Sequence, residues 1–545
     1  MGKVPAYEIL CRALQKQGCS TIFYLTGGPM SEAVAAGYTL GLRMIDVRHE
    51  QAATVMAQGY SRILAQPSVA MTASGPGTAN GASGLINAFM DCVPVVLIGG
   101  SGSVTKREYG VFQELDQVAL LRPFTKWAGQ VVDPHRIPDM VNLAFLHATS
   151  GRPGPVYLDC PGDIIHTPVE ENEIEWVVTP PISTVTFGDP SYITKAATLL
   201  AKAQRPLIVA GSGLLWSRAA KAFKELVERL QVPFYTTPQA RGIIPDDHPL
   251  SLPESRSVAF READVVLVLG TRDNYVFGHF KAPRFAEDVK LISVNSERSD
   301  IGRVRPVKIG ITGDVGTVVQ QLKAELDKRG ARLNTKAWIE RLSSYAGDRA
   351  PKNEERMSTD QLPIHPLRLC KEIRDFKDRD AILAVDGQEI LNFARQSIPI
   401  YAPHSLTSGT AGWMGVGVPL GIGGKAAKPD KQTIILTGDG AFGLNGIEID
   451  TAIRHKLQVT IVISNNGGWT ARREGIRSVG RELGQPNYEK IAHAFGGYGE
   501  RVERPEDIRP ALERAKASGT SAIINVVTDP KASATTAKFT DYEYA

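Results

Sequence analysis

Thr437-Gly438-Asp439-Gly440-Ala441-Phe442-Gly443-Leu444-Asn445-Gly446-Ile447-Glu448 is the stretch whose reading decides the fold of this chain. A short apolar run at 432–436 (QTIIL) feeds it, and a second at 458–463 (QVTIVI) leads into Ser464-Asn465-Asn466-Gly467-Gly468. Between the runs, Ile447, Ile449, Ala452 and Ile453 recur at helical spacing, which predicts strand, helix, strand. Such a crossover makes the two strands parallel and brings Asp439 and Asn466 to one carboxyl-terminal sheet edge, where open α/β sheets bind ligands. The helix opening after Gly440 points its N-terminus at the same edge, and the glycines allow the close backbone approach that favours a phosphate. Asp439, the Asn466 side-chain amide and a backbone carbonyl in Gly467-Gly468, taken as that of Gly468, offer three protein oxygens. Phosphate oxygens or water would then complete an octahedron around Mg2+.

The bulk properties set the frame for that site. A chain of 545 residues with 43% apolar content is too long for one core and predicts three or four domains. Lysine plus arginine (62) less aspartate plus glutamate (58) leaves +4, without long charged blocks, so nucleic acid and membrane surfaces are not expected partners and small molecules are. Cys11, Cys19, Cys92, Cys160 and Cys370 are scattered and mostly set in apolar stretches, as expected of buried thiols in the cytoplasm rather than disulfides or a zinc site. The first 20 residues do not read as a signal peptide, no window reaches the ~18 apolar residues of a membrane span, and Tyr544-Ala545 is no peroxisomal address.

Working outward, the chain divides into three doubly wound α/β units at 1–168, 190–330 and 366–528, with a tail at 529–545. The first unit alternates a helix at 7–17, strands at 21–25, 42–47, 68–72 and 93–98, and helices beginning near residue 50 and spanning 79–90. The second has strands at 206–209, 263–269 and 290–294 and helices at 218–230 and 315–328. Polar segments at 170–189 and 347–365 read as linkers.

Gly-Asp-Gly, a gap of 24 residues (441–464) and Asn-Asn together resemble the signature of thiamin diphosphate enzymes. The resemblance runs from about residue 7 to 528 and implies the three-domain architecture of that class: pyrimidine-binding, central and diphosphate-binding units. Arg48-His49-Glu50-Gln51-Ala52-Ala53, followed by Ser74-Gly75-Pro76-Gly77, is similar to the pyrimidine-binding domain, which makes Glu50 the expected catalytic carboxyl. A carboxyl bonded to the pyrimidine ring nitrogen favours the imino tautomer, whose exocyclic nitrogen then removes the thiazolium proton. Gly412-Trp413-Met414 matches the segment that folds the cofactor, with Met414 between the rings and the Gly412 carbonyl accepting from the exocyclic amine. The resemblance further implies cofactor contacts from Gly28, Pro76 and Asn80 in the first unit and from Gln388, Glu389, Gly438, Asp439, Gly440, Ala441, Asn466 and Gly468 in the third. Gln113, in Val111-Phe112-Gln113-Glu114, would donate to a substrate carbonyl or hydroxyl, and Glu500 is a further candidate acid–base group.

Within the class, Gly440–Glu448, Asn465-Asn466-Gly467-Gly468 and Gly242-Ile243-Ile244-Pro245-Asp246-Asp247-His248-Pro249 are similar to the oxalyl-CoA decarboxylase and 2-hydroxyacyl-CoA lyase branch. The Phe-Gln-Glu form favours the lyase, whereas Ala402-Pro403-His404-Ser405 and Tyr24–Pro29 depart from the branch pattern. Resemblance thus implies a CoA thioester substrate, with oxalyl-CoA decarboxylation, carboligation of free 2-oxoacids as in acetolactate synthases, or a degenerate regulatory subunit as alternatives. It also implies a homodimer or homotetramer, a central unit holding ADP, less readily FAD, or nothing, and a 529–545 tail serving either as a lid or as a free terminus.

Overall fold

In this computed structural model, residues 2–25, 27–177, 185–472 and 479–534 are described. Three parallel sheets carry the chain. The first runs in the order Arg43–Asp46, Thr21–Leu25, Ser68–Thr72, Val95–Ser101, Val156–Pro161, Ala128–Gln130, and the third in the order Ser405–Leu406, Ile382–Asp386, Thr433–Gly438, Thr460–Asn465, Ala522–Val527, Tyr498–Val502. Counted along the chain, the strands of both sheets stand in the same order, 2-1-3-4-6-5. The second sheet has five strands, Phe234–Thr236, Pro206–Ala210, Val265–Leu269, Lys290–Asn295 and Ile309–Thr312 in spatial order. Lys3–Pro5 pairs antiparallel with Pro168–Glu170, which ties the two ends of the first unit together.

The strands are near-continuous runs of Val, Ile, Leu and Ala because helices cover both faces of each sheet. The first and third units share one apolar core that includes Phe23, Ile45, Leu97, Ile435, Ile461 and Ile523, while the second has its own around Phe223, Ile208 and Leu322. The seam between the first and third units is the helix Glu50–Leu64 against the helix Gly417–Ala427. Both are buried almost all round, the pattern of helices that face protein on every side. Their backbones touch: a Cβ on Gly59 would collide with the Leu420 carbonyl, and one on Gly423 with that of Met56. This seam fixes Glu50, at the start of one helix, relative to Met414, just before the other.

Two expectations are corrected. The segment expected as a linker at 347–365 is in its first half part of a 22-residue helix, Lys336–Met357, which buries Trp338, Leu342 and Met357 and leaves its charges in solvent. The helix between Gly438 and Thr460 is two pieces, Asp439–Asn445 and Ile449–Arg454, divided by a 3-10 turn at Gly446–Glu448. Among the described residues no helix is long and apolar enough to cross a membrane. Of the tail, 535–545 lies outside the described residues.

Candidate active site

In the third sheet, Thr433–Gly438 lies beside Ile382–Asp386, so Asp439 and Gly387 follow neighbouring strands at the point where the strand order reverses. That is the ligand crevice of a doubly wound sheet. A small cleft of about 30 Å³ sits there, lined among others by Gly387, Gln388, Asp439, Asn466, Gly468 and Met414. Gly438, Gly440 and Ala441 also line it.

Asp439 is 2% exposed, and its Oδ2 has no hydrogen-bond partner among the described residues. Burial raises its pKa to about 6 against the opposing backbone N–H groups of Gly440 and Gly468. A buried carboxylate oxygen left orphaned is what a cation site requires. Asn466 Oδ1 accepts from Gly468 N–H at 3.2 Å while its Nδ2 donates to the Thr470 carbonyl at 3.3 Å. Arg481, almost fully buried, donates to the carbonyls of Asn466 (3.2 Å), Gly467 (3.3 Å) and Thr470 (2.8 Å), which pins this loop. The Trp469 ring lies against Gly440, where a Cβ would stand 2.7 Å from it. Among the described residues no cluster of three or more His, Cys, Asp or Glu could hold a metal. One carboxylate with amide and carbonyl oxygens therefore fits a hard cation that shares phosphate and water ligands, and it does not fit zinc.

Met414, Gly387 and Gln388 line this cleft and also a much larger cavity of about 490 Å³ that reaches into the central unit. Gly412, on the wall of that cavity, has a φ of +64°, a conformation open to glycine. The far end of the cavity is built from residues at or just past strand ends of the second sheet: Ser212-Gly213, Gly270-Thr271 and Asn295, with Arg152 and Arg272 beside them. Arg152 is paired with the buried Asp300 at 2.7 Å.

The first-unit residues gather at the equivalent edge of their own sheet. Glu50 is 8% exposed, and Asn80 Nδ2 donates to its Oε2 at 3.1 Å. Pro76 opens the helix Pro76–Asp91 that carries Asn80, and a Cβ on Gly77 would lie 3.2 Å from Glu50 Oε1. Ser74 Oγ lies 3.0 Å from the Gly28 carbonyl and 2.6 Å from Gln113 Oε1, and its single proton is donated to one of them at a time. Gln113 has φ +59°, a strained value for a non-glycine residue of the kind that collects at active sites. Glu50, Asn80 and Gln113 line neither of the two cavities that contain Met414.

Two candidates stand differently from expectation. Glu500 lies on the edge strand Tyr498–Val502, where Arg514 and the Tyr498 hydroxyl bind its carboxylate. Burial alone would raise its pKa, but those two partners hold it below the usual value, so in this chain it is an ion-paired sheet-edge group that lines neither cavity. Glu389 lines the cleft, where it is already occupied by Ser533 and Ala534: its Oε2 accepts Ala534 N–H at 2.9 Å, and its Oε1 lies 3.5 Å from Ser533 Oγ. Sequence reasoning also missed Asp91, Arg62 and Glu448, three buried charges at the seams between units. Their only signal is a charged residue inside an otherwise apolar run.

Comparison with known proteins agrees with this geometry. The chain matches the family models described as thiamine pyrophosphate enzyme N-terminal TPP binding domain over residues 5–120, central domain over 193–322 and C-terminal TPP binding domain over 388–526. The 2-hydroxyacyl-CoA lyase of Arabidopsis thaliana is 33% identical over 557 residues, covering 96% of each chain. The oxalyl-CoA decarboxylase of Escherichia coli (strain K12) is 34% identical over 541 residues, covering 96% of this chain and 95% of that one. A probable acetolactate synthase of Mycobacterium bovis is 33% identical over 534 residues, covering 96% of each. The chain belongs to the thiamine pyrophosphate enzyme family.

Proposed function

We propose that the protein is a thiamin diphosphate- and Mg2+-dependent 2-hydroxyacyl-CoA lyase, which cleaves its substrate to formyl-CoA and an aldehyde or ketone. The observation that carries this reading is the cavity of about 490 Å³ running from Met414 and Gln388 to Arg152 and Arg272, which has room for a long thioester and arginines at its far end. The relatives that bear the lyase and decarboxylase names support the thioester. The same strand-end glycines would also suit ADP, less readily FAD, as a separate occupant.

When bound, thiamin diphosphate supplies the nucleophilic carbon and the electron sink. Asp439, Asn466 and the Gly468 carbonyl would hold Mg2+, and the backbone around Gly438–Ala441 would face the diphosphate. Glu50, oriented by Asn80, would hold a proton at the pyrimidine ring nitrogen. Gln113, oriented by Ser74, would then switch its amide to donate to the substrate carbonyl or hydroxyl. In the overall reaction the bond between the acyl carbon and the carbinol carbon breaks, the hydroxyl proton is lost as the aldehyde or ketone forms, and a proton is delivered to the acyl carbon.

Because Glu50 and Gln113 line neither cavity around Met414, the working site would be completed by a second copy of the chain. Phe112 (87% exposed), Tyr109 (78%), Leu444 (54%) and Ile447 (46%) offer the apolar surface for it. A homodimer or homotetramer follows. A panel of 2-hydroxyacyl-CoA, oxalyl-CoA and pyruvate tests the reading: formyl-CoA with an equimolar carbonyl product from the first supports it, and turnover of pyruvate alone replaces it with a carboligase.

A further inference from the structure

The loop that carries Gly412 and Met414 is held from outside its own domain. Arg62, in the helix Glu50–Leu64, donates to the carbonyls of Ser405 at 3.0 Å and Thr407 at 3.5 Å. Asp91, at the end of the helix Pro76–Asp91, accepts the Gly409 N–H at 3.0 Å through Oδ2. Thr410 follows, its hydroxyl donating to the Met90 carbonyl at 3.2 Å and its own carbonyl accepting from the Tyr275 hydroxyl at 3.0 Å. Beyond Met414, the Gly415 carbonyl accepts from Asn445 at 2.7 Å. Residues 411–414 hang between those two anchored ends.

Asp91 ties all three units together. Its Oδ2 accepts not only from Gly409 of the third but also from Gln239 of the second at 2.9 Å and from Gln58 of the first at 3.2 Å. Three donors converging on one buried, charged oxygen form charge-assisted bonds, and removing that oxygen would orphan all three. Oδ1 has no hydrogen-bond partner among the described residues and lies against the Gly409 backbone, where a Cβ would collide with it. Burial raises the pKa of this carboxyl to about 6, opposed chiefly by the charge of Arg62.

We propose that Asp91 is a positioning residue for the cofactor wedge: it seats Gly409 against both neighbouring units and thereby sets where the Gly412 carbonyl and the Met414 side chain stand. The inference rests on the reading of Gly412 and Met414 as that wedge. In the holoenzyme, Asp91→Ala is expected to lower kcat by on the order of 100-fold, the cost of a misplacement of about 1 Å, with KM for the thioester changed far less. Asp91→Asn keeps one oxygen for the three donors and should recover roughly 10-fold of that loss. Gly409→Ala, which drives the loop off Asp91, should match Asp91→Ala, and the double variant should be no worse than either single one. The near-ultraviolet circular dichroism of bound thiamin diphosphate should change in both single variants. Multiplicative losses in the double variant, or an unchanged cofactor spectrum, would overturn the proposal. Met414→Ala separates the two readings: wild-type turnover in it, with Asp91→Ala impaired, removes the wedge, whereas the reverse removes only the role of Asp91.

Discussion

The Glu448 carboxylate, in the third unit, accepts the backbone N–H of His49, the residue before Glu50, at 3.1 Å. The same oxygen accepts Arg48 N–H at 2.9 Å, and Thr451 Oγ donates to the other at 2.6 Å. The turn that launches the expected catalytic glutamate is thus gripped by an acid with no exposed surface, nine residues beyond Asp439. Burial pushes the Glu448 pKa from 4.5 up to about 7, against its three hydrogen bonds.

The sign of the resulting pH dependence follows. The folded state holds the Glu448 proton up to about pH 7 and the unfolded chain only to about 4.5, so this group's contribution to stability falls as pH rises through that window and is flat above it. Glu448→Gln keeps an acceptor for both N–H groups and removes the titration. Its thermal midpoint relative to wild type should therefore rise between pH 5 and 7.5, by an amount reflecting roughly 3 kcal/mol. A difference independent of pH would show that Glu448 ionises normally.

Glu50→Gln should fold, bind thiamin diphosphate almost as wild type and lose most turnover, because only the proton position at the pyrimidine nitrogen is removed. General acid–base catalysis contributes on the order of 100-fold or more, so retention of more than about a tenth of wild-type kcat would take Glu50 out of that role.

Asp439→Ala or Asn466→Ala should weaken Mg2+ and cofactor binding together, since each removes an oxygen from a cation with few protein ligands. Fluorescence titration reads both affinities, and chelation of Mg2+ should release cofactor from the wild-type enzyme. Unchanged affinity in both variants would remove the clamp.

Deletion of 532–545 should weaken cofactor binding, because Ala532 lines the cleft beside Asp439 and the Ala534 N–H is bonded to Glu389. Cofactor affinity unchanged by that deletion would remove the role of this segment at the cleft.

What the sequence showed and hid divides along a physical line. Asp439, Asn466 and the crossover between them were legible because strand runs, glycine turns and helical spacing are local patterns. The position of Glu50 at a helix start and of Met414 beside the Asp439 cleft could be read through their immediate neighbours. Glu500 misled because a carboxylate after a glycine turn reads alike whether it meets a ligand or, as here, Arg514 fourteen residues on. Asp91 and Glu448 were silent because their partners, Gly409 and His49, lie 318 and 399 residues away, a pairing no local periodicity encodes. The helix at Lys336–Met357 was missed because so little of it is buried.

The most direct test of the lyase account is the fate of one proton. In deuterium oxide, the holoenzyme given a 2-hydroxyacyl-CoA should release formyl-CoA deuterated at the formyl carbon with one equivalent of aldehyde or ketone, and Glu50→Gln should release almost none of either. Carbon dioxide, acetolactate-type products or an absence of formyl-CoA from every 2-hydroxyacyl-CoA tried would contradict it.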